Sequence, residues 1–224
     1  TLRTQNFTTA TDSFNTAIGY HAGRGITTGQ FNTLVGGLAG DAITDASGNV
    51  AMGYAALSTN TTGEFNTAIG REALEANLGA DYNTAVGFRA GEAVTSGTFN
   101  TLIGGLAGDS LTDADKNTAV GMNALASDTL GSFSTAIGQS ALFSQNFTTA
   151  TDSHNTAVGY NAGVLVTTGI LNTLIGGVSG DALTTGTRNV AVGQGSLGLD
   201  TKGSKSVAIG QAALGTQNFT TATD

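Results

Sequence analysis

The sequence predicts an all-β chain, a parallel β-solenoid of about 12 coils of 17 residues each. Three observations predict it. The motif "NTAIG" at Asn15–Gly19 recurs twelve times, always 17 residues apart except for one step of 21 between Ser134 and Asn155. Repeats of this length are the signature of a stacked array, in which each unit buries its apolar face against the next. The composition suits tight coils: Gly is 34 of 224 residues, Pro, Cys and Trp are absent, and only 11% of residues are charged, against about 25% in ordinary globular domains.

The columns of the repeat define each position. Column one is Asn in ten copies and Ser in two, Ser134 and Ser206. Column two is Thr or Val, and column three is Ala, or Leu once in every four coils: Leu34, Leu102 and Leu174. Column four is always large and apolar: Ile18, Val35, Met52, Ile69, Val86, Ile103, Val120, Ile137, Val158, Ile175, Val192 and Ile209. Column five is always Gly, column eight Ala or Ser, and column fifteen Gly or Ala wherever the register holds. Column seventeen, just before the next Asn, is often aromatic, as at Phe14, Phe31, Phe65, Tyr82, Phe99 and Phe133.

The motif has the form of a short strand. By period two, Phe31, Thr33 and Val35 share one face and Asn32, Leu34 and Gly36 the other. Both faces are apolar or small, as in a strand covered on both sides. The fixed Gly suits a bend or a close backbone approach. A second stretch, such as "AALST" at Ala55–Thr59, is expected to run back as a strand, and "TTG" at Thr27–Gly29 to turn the chain. Like residues then lie over like: the Asn column forms a ladder of amides and the aromatic column a partial stack of rings.

A four-coil order sits above the 17-residue one. Gly-Gly follows the motif only at Gly36–Gly37, Gly104–Gly105 and Gly176–Gly177. The chain is therefore a single array over 1–224. Residues 1–14 close a preceding coil, and sets of four coils span 15–82, 83–154 and 155–224. The four extra residues of the second set fall in "QNFTTATD", where the fourth coil bulges. That stretch also stands at both ends of the sequence. The array is thus expected to be a fragment of a longer fibre, continuing beyond Asp224.

So thin a coil has little interior, and small cores rarely offset chain entropy unaided. With no Cys for a disulfide, the expected support is self-association. In that arrangement the column-four residues lie inside each coil. Column three packs toward the other chains, with Leu34, Leu102 and Leu174 as the main interchain contacts.

The segment "KSVAIGQAALGT" at Lys205–Thr216 resembles the repeat of trimeric autotransporter adhesin heads. The form "NTAIGY.AG…TTG..NT" is similar to repeats in phage tail fibres and other surface fibres. The resemblance covers residues 15–224, although head repeats of that family run nearer fourteen residues than seventeen. It implies a left-handed parallel β-roll with three chains about one axis, and a role as an extracellular fibre, filament or adhesin at a cell or virion surface. It implies no catalysis and no cofactor, and as partners further copies of itself and a host-surface or glycan receptor.

Other chemistry has weaker support. The net charge is −8 with no Lys/Arg cluster, which excludes nucleic acid as a partner. No apolar run reaches the ~20 residues of a membrane helix. "GGLAGDAIT" at Gly36–Thr44 departs from the G-G-x-G-x-D calcium motif, which leaves Asp41, Asp45, Asp109 and Asp113 as weak candidates for a hard cation. His21 and His154 occupy unrelated columns and read as solvated surface residues. Glu72, Glu75 and Glu92 lack counterparts in other coils. Threonines at the "TTG" turns raise ice binding, the other branch of a monomeric ligand-binding solenoid. Asn6, Asn60, Asn146 and Asn218 fall in N-x-T sequons and are candidate glycosylation sites.

Overall fold

The computed structural model describes residues 1–7 and 11–222. Among these the chain is all-β with no helix, and so has none long and apolar enough to cross a membrane. It is a parallel β-solenoid of about 11 turns with a 17-residue period, distributed over two compact units, Thr1–Asp113 and Ala114–Asp224.

In the first unit each motif copy forms a three-residue strand: β1 (Thr16–Ile18), β2 (Thr33–Val35), β3 (Val50–Met52), β4 (Thr67–Ile69), β5 (Thr84–Val86) and β6 (Thr101–Ile103). Each pairs in parallel with the next in sequence, Thr16 beside Thr33 and Ile18 beside Val35. The second unit repeats this with β7 (Thr118–Val120), β9 (Thr135–Ile137), β11 (Thr156–Val158), β12 (Thr173–Ile175), β13 (Val190–Val192) and β14 (Val207–Ile209). It adds β8 (Gly131–Ser132) and β10 (Thr151–Asp152), which pair with each other at the bulge.

The alternation along the strand is as expected, but its two sides are exchanged. Leu34, Leu102 and Leu174 are 0% exposed within one chain, as are the column-three alanines such as Ala51 and Ala85. A side chain with no surface left has none to offer a neighbour, so these leucines are not interchain contacts. Column four points outward, from half-buried Val35 and Val86 to Ile209 at 69% exposed. The reason is space. The strand backbone runs so close to the opposite wall that a small residue is needed inside, and the large apolar residue takes the other face.

The walls opposite the strand are turns, not a returning strand. Tyr54–Thr59 is a succession of turns, with Ala55 and Leu57 in the left-handed region at φ 56° and 53°. Columns nine and twelve fill the interior between them and vary together. Where column nine is Gly, column twelve is apolar, as in Gly23 with Ile26 and Gly108 with Leu111. Where column nine is Leu, column twelve is polar, as in Leu57 with Asn60 and Leu142 with Gln145. The two coil types come in pairs along the array. The column-three leucine fills what the glycines leave open: a Cβ on Gly91 would lie 2.6 Å from Leu102 Cδ1 and 3.1 Å from Leu74 Cδ2, and one on Gly108 would lie 2.8 Å from Leu102 Cδ2.

The buried polar groups are paired, as burial requires. Asn66 donates its amide to Ala80 O (2.7 Å) and Asn49 Oδ1 (3.3 Å), while Asn66 Oδ1 accepts the backbone N–H of Asn83 at 2.9 Å. The amide ladder thus ties each coil both to its own last turn and to its neighbour. Buried Asn60 closes its turn by bonding both N–H and C=O of Gly63.

At the bulge the ladder is replaced. Gln145 Nε2 donates to Asp128 Oδ2 (2.6 Å) and Ser134 Oγ (2.8 Å), and Gln145 Oε1 accepts from Asn155 Nδ2 at 2.8 Å. The Gln side chain occupies the space of the column-one amide, which explains why this coil starts with Ser. Asp200, Ser206 and Gln217 repeat the arrangement. Residues 8–10 and 223–224, within the other two copies of "QNFTTATD", lie outside the described residues.

Candidate functional site

The outward face of each strand is the most extensive surface feature. Columns two and four both face out and carry no charged residue in any of the twelve copies. Beside them, column seventeen supplies rings that stack on one another: Phe14 on Phe31 at 5.3 Å, Phe65 on Tyr82 at 5.2 Å, Tyr82 on Phe99 at 5.1 Å. These rings lie within about 14° of parallel. Each covers its neighbour's face and leaves mainly edges outward, a poor platform for stacking a sugar. The column also holds bulky residues at positive φ, as at Phe65 (55°) and Tyr82 (58°), a conformation kept only where surrounding structure imposes it. On the other side, column six carries exposed Tyr20, Tyr54, Phe88, Met122 and Tyr160.

A second feature is a charged cluster where the fourth and fifth coils meet. Among the described residues, the carboxylates that converge within 4.8 Å are Glu72, Glu75 and Glu92, not Asp41, Asp45, Asp109 and Asp113. Asp41 is engaged by Arg24 at 3.1 Å and Asp45 accepts the Thr44 hydroxyl. Arg71 pairs with Glu72 (2.8 Å) and Arg89 with Glu92 (2.5 Å), and both guanidinium groups sit 5.8 Å from the Phe88 ring. Glu75 and Glu92 line a shallow cavity of about 480 Å³ with Thr59, Ala76 and Ala93. Three carboxylate oxygens could ligate a hard cation, but Arg71 and Arg89 already neutralise two of the groups. The arrangement is an ion-pair network tying adjacent coils.

Glu75 carries the cost of that network. Desolvation, then the charges of Glu72 and Glu92, raise its pKa above the ordinary 4.5. The folded chain therefore keeps the Glu75 proton at pH values where the unfolded chain has lost it. Stability falls as pH rises from about 4.5 through the folded value, and the penalty is absent below. Glu75→Gln should raise Tm at pH 7 and give no gain at about pH 4. An equal gain at both pH values would refute the electrostatic origin.

The remaining candidates fall in separate places. His21 stacks on Tyr20 at 3.9 Å and His154 on Phe133 at 5.1 Å. Asn6, Asn146 and Asn218 are exposed, and the last two accept hydroxyl bonds from Thr129 and Thr201. Asn60 is withdrawn as a glycan acceptor, because its amide is buried and committed to Gly63. The first threonine of several turns is committed: Thr27, Thr61 and Thr184 donate their hydroxyls to carbonyls of the next coil.

No family model matches the chain, and neither a curated protein nor a solved structure matches it.

Proposed function

We propose that the chain is a structural module of an extracellular fibre, surface filament or adhesin at a cell or virion surface. In this reading it is not an enzyme, assembles as a homotrimer and uses variable loop positions to meet a host-surface or glycan receptor. The observation that carries the reading is the uncharged outward face of columns two and four, with a large apolar residue in column four of every coil. An acidic chain that leaves large Ile, Val and aromatic side chains in open rows has surface suited to burial against other chains, since soluble monomers rarely expose wide contiguous apolar patches. With the leucines inside the coil, the copies meet through columns two and four, which carry no charge in any copy. Sedimentation equilibrium is expected to give three chains per particle. A stable particle at the single-chain mass of 22.2 kDa would overturn the fibre reading and favour a solenoid that binds glycan, Ca²⁺ or ice alone.

A further inference from the structure

Column six distinguishes one coil in four. Nine of its twelve members have long side chains: Tyr20, Tyr54, Arg71, Phe88, Met122, Gln139, Tyr160, Gln194 and Gln211. The other three are Gly37, Gly105 and Gly177, and no residue of intermediate size occurs. The chain itself does not call for these glycines. None has a positive φ. A Cβ added at Gly105 or Gly177 would meet nothing within 4 Å, and one at Gly37 would make only an ordinary 3.6 Å contact with the Tyr54 ring. The column-five glycines beside them are different, since a Cβ on Gly36 or Gly176 would sit within 2.7 Å of backbone atoms of the next coil and their φ is 140° or 130°.

Glycine that the fold does not need marks a place where something outside approaches closely. We propose that Gly37, Gly105 and Gly177 are notches that receive side chains of a second copy of this chain and set the axial register between copies. The inference rests on the trimer reading and deepens it. A second copy is the occupant that period and charge favour. Gly37 and Gly105, both in the first unit, stand 68 residues apart, the length of the four-coil set itself, and a partner that meets both must carry the same period. The neighbouring columns two and four are uncharged although the chain has a net charge of −8, so two copies can approach here without like-charge repulsion. In each unit by itself, six strands at ~4.8 Å and a face ~13 Å wide give on the order of 400 Å², about half of what each partner brings to a standard interface.

The test is the double variant Gly105→Gln with Gly177→Gln. Gln already stands in this column at 139, 194 and 211, so each coil accepts it. Far-UV circular dichroism and urea unfolding report the fold, and sedimentation equilibrium reports association. The expected result is a folded chain whose association is weakened about tenfold or more, while Gln139→Ala assembles as the wild type does. A wild-type trimer with an equally associated double variant would overturn the notch and leave the trimer reading standing. A monomeric wild type would overturn both. A double variant that does not fold would show that the chain needs these glycines for itself, which also overturns the inference.

Discussion

Gly87→Ala is expected to cost more than about 4 kcal/mol, enough to remove most of the stability of an ordinary domain. Gly87 ends strand β5 at φ 139°, a region that residues with a Cβ rarely enter. An added Cβ would lie 2.5 Å from the carbonyl oxygen of Gly104 and 2.6 Å from its carbonyl carbon. Both are backbone atoms of the next coil, so no side chain can rotate away. The two coils would have to separate, and the bond between them from Gly104 N to Val86 O, 2.8 Å, would lengthen. Urea unfolding measures this directly, with Gln30→Ala as the control, expected within ~0.5 kcal/mol of wild type. A Gly87→Ala chain that unfolds at the wild-type midpoint would show that the stack is far looser than its hydrogen bonds imply.

The same glycine column shows how far the sequence could be read. An invariant Gly after a three-residue apolar strand pointed to a bend with a close backbone approach, and both are present. The amide ladder and the ring stacks followed from period alone, because a strict 17-residue repeat forces like onto like. Which strand face turns inward did not follow. Hydrophobic size suggested that Ile18 and Val86 go inside, but the interior is set by the distance between a strand and the turns facing it, and that distance admits Ala85, not Val86. The signal that decides the matter was present in columns nine and twelve. Leu74 with Asn77 against Gly91 with Val94 is an exchange of volume between two positions, and only residues sharing one cavity need to compensate each other. The ion-pair network of Arg71, Glu72, Arg89 and Glu92 could not be read from spacing, since no other coil repeats it. The Ser134 departure could be placed but not explained until Gln145 was seen in the space of the missing amide.

Leu102→Ala tests that shared cavity. The Leu102 side chain fills space beside two glycines, Gly91 in its own neighbour coil and Gly108 in its own coil. It is fully buried, and the surrounding backbone is fixed by coil-to-coil hydrogen bonds such as Gly91 N to Ala107 O at 3.0 Å. Collapse around the lost atoms is therefore limited, and the cost should fall at about 3–5 kcal/mol. The sequence also supplies a repair. Coils with Ala in column three and Leu in column nine place a polar residue in column twelve, as Leu57 and Asn60 do. Adding Gly108→Leu and Leu111→Asn to Leu102→Ala converts this coil to that type. The new Leu enters a left-handed position that Leu57 and Leu74 already tolerate at φ 53° and 48°, and the new Asn can close its turn as Asn60 closes its own. The triple variant should recover more than half of the stability lost by Leu102→Ala, measured by urea midpoint. A single variant costing under about 1 kcal/mol, or a triple variant no better than the single, would mean that columns three, nine and twelve do not share one space. Because Leu102 lies inside the coil, its loss should also leave the number of chains per folded particle unchanged, the opposite of what an interchain contact would give.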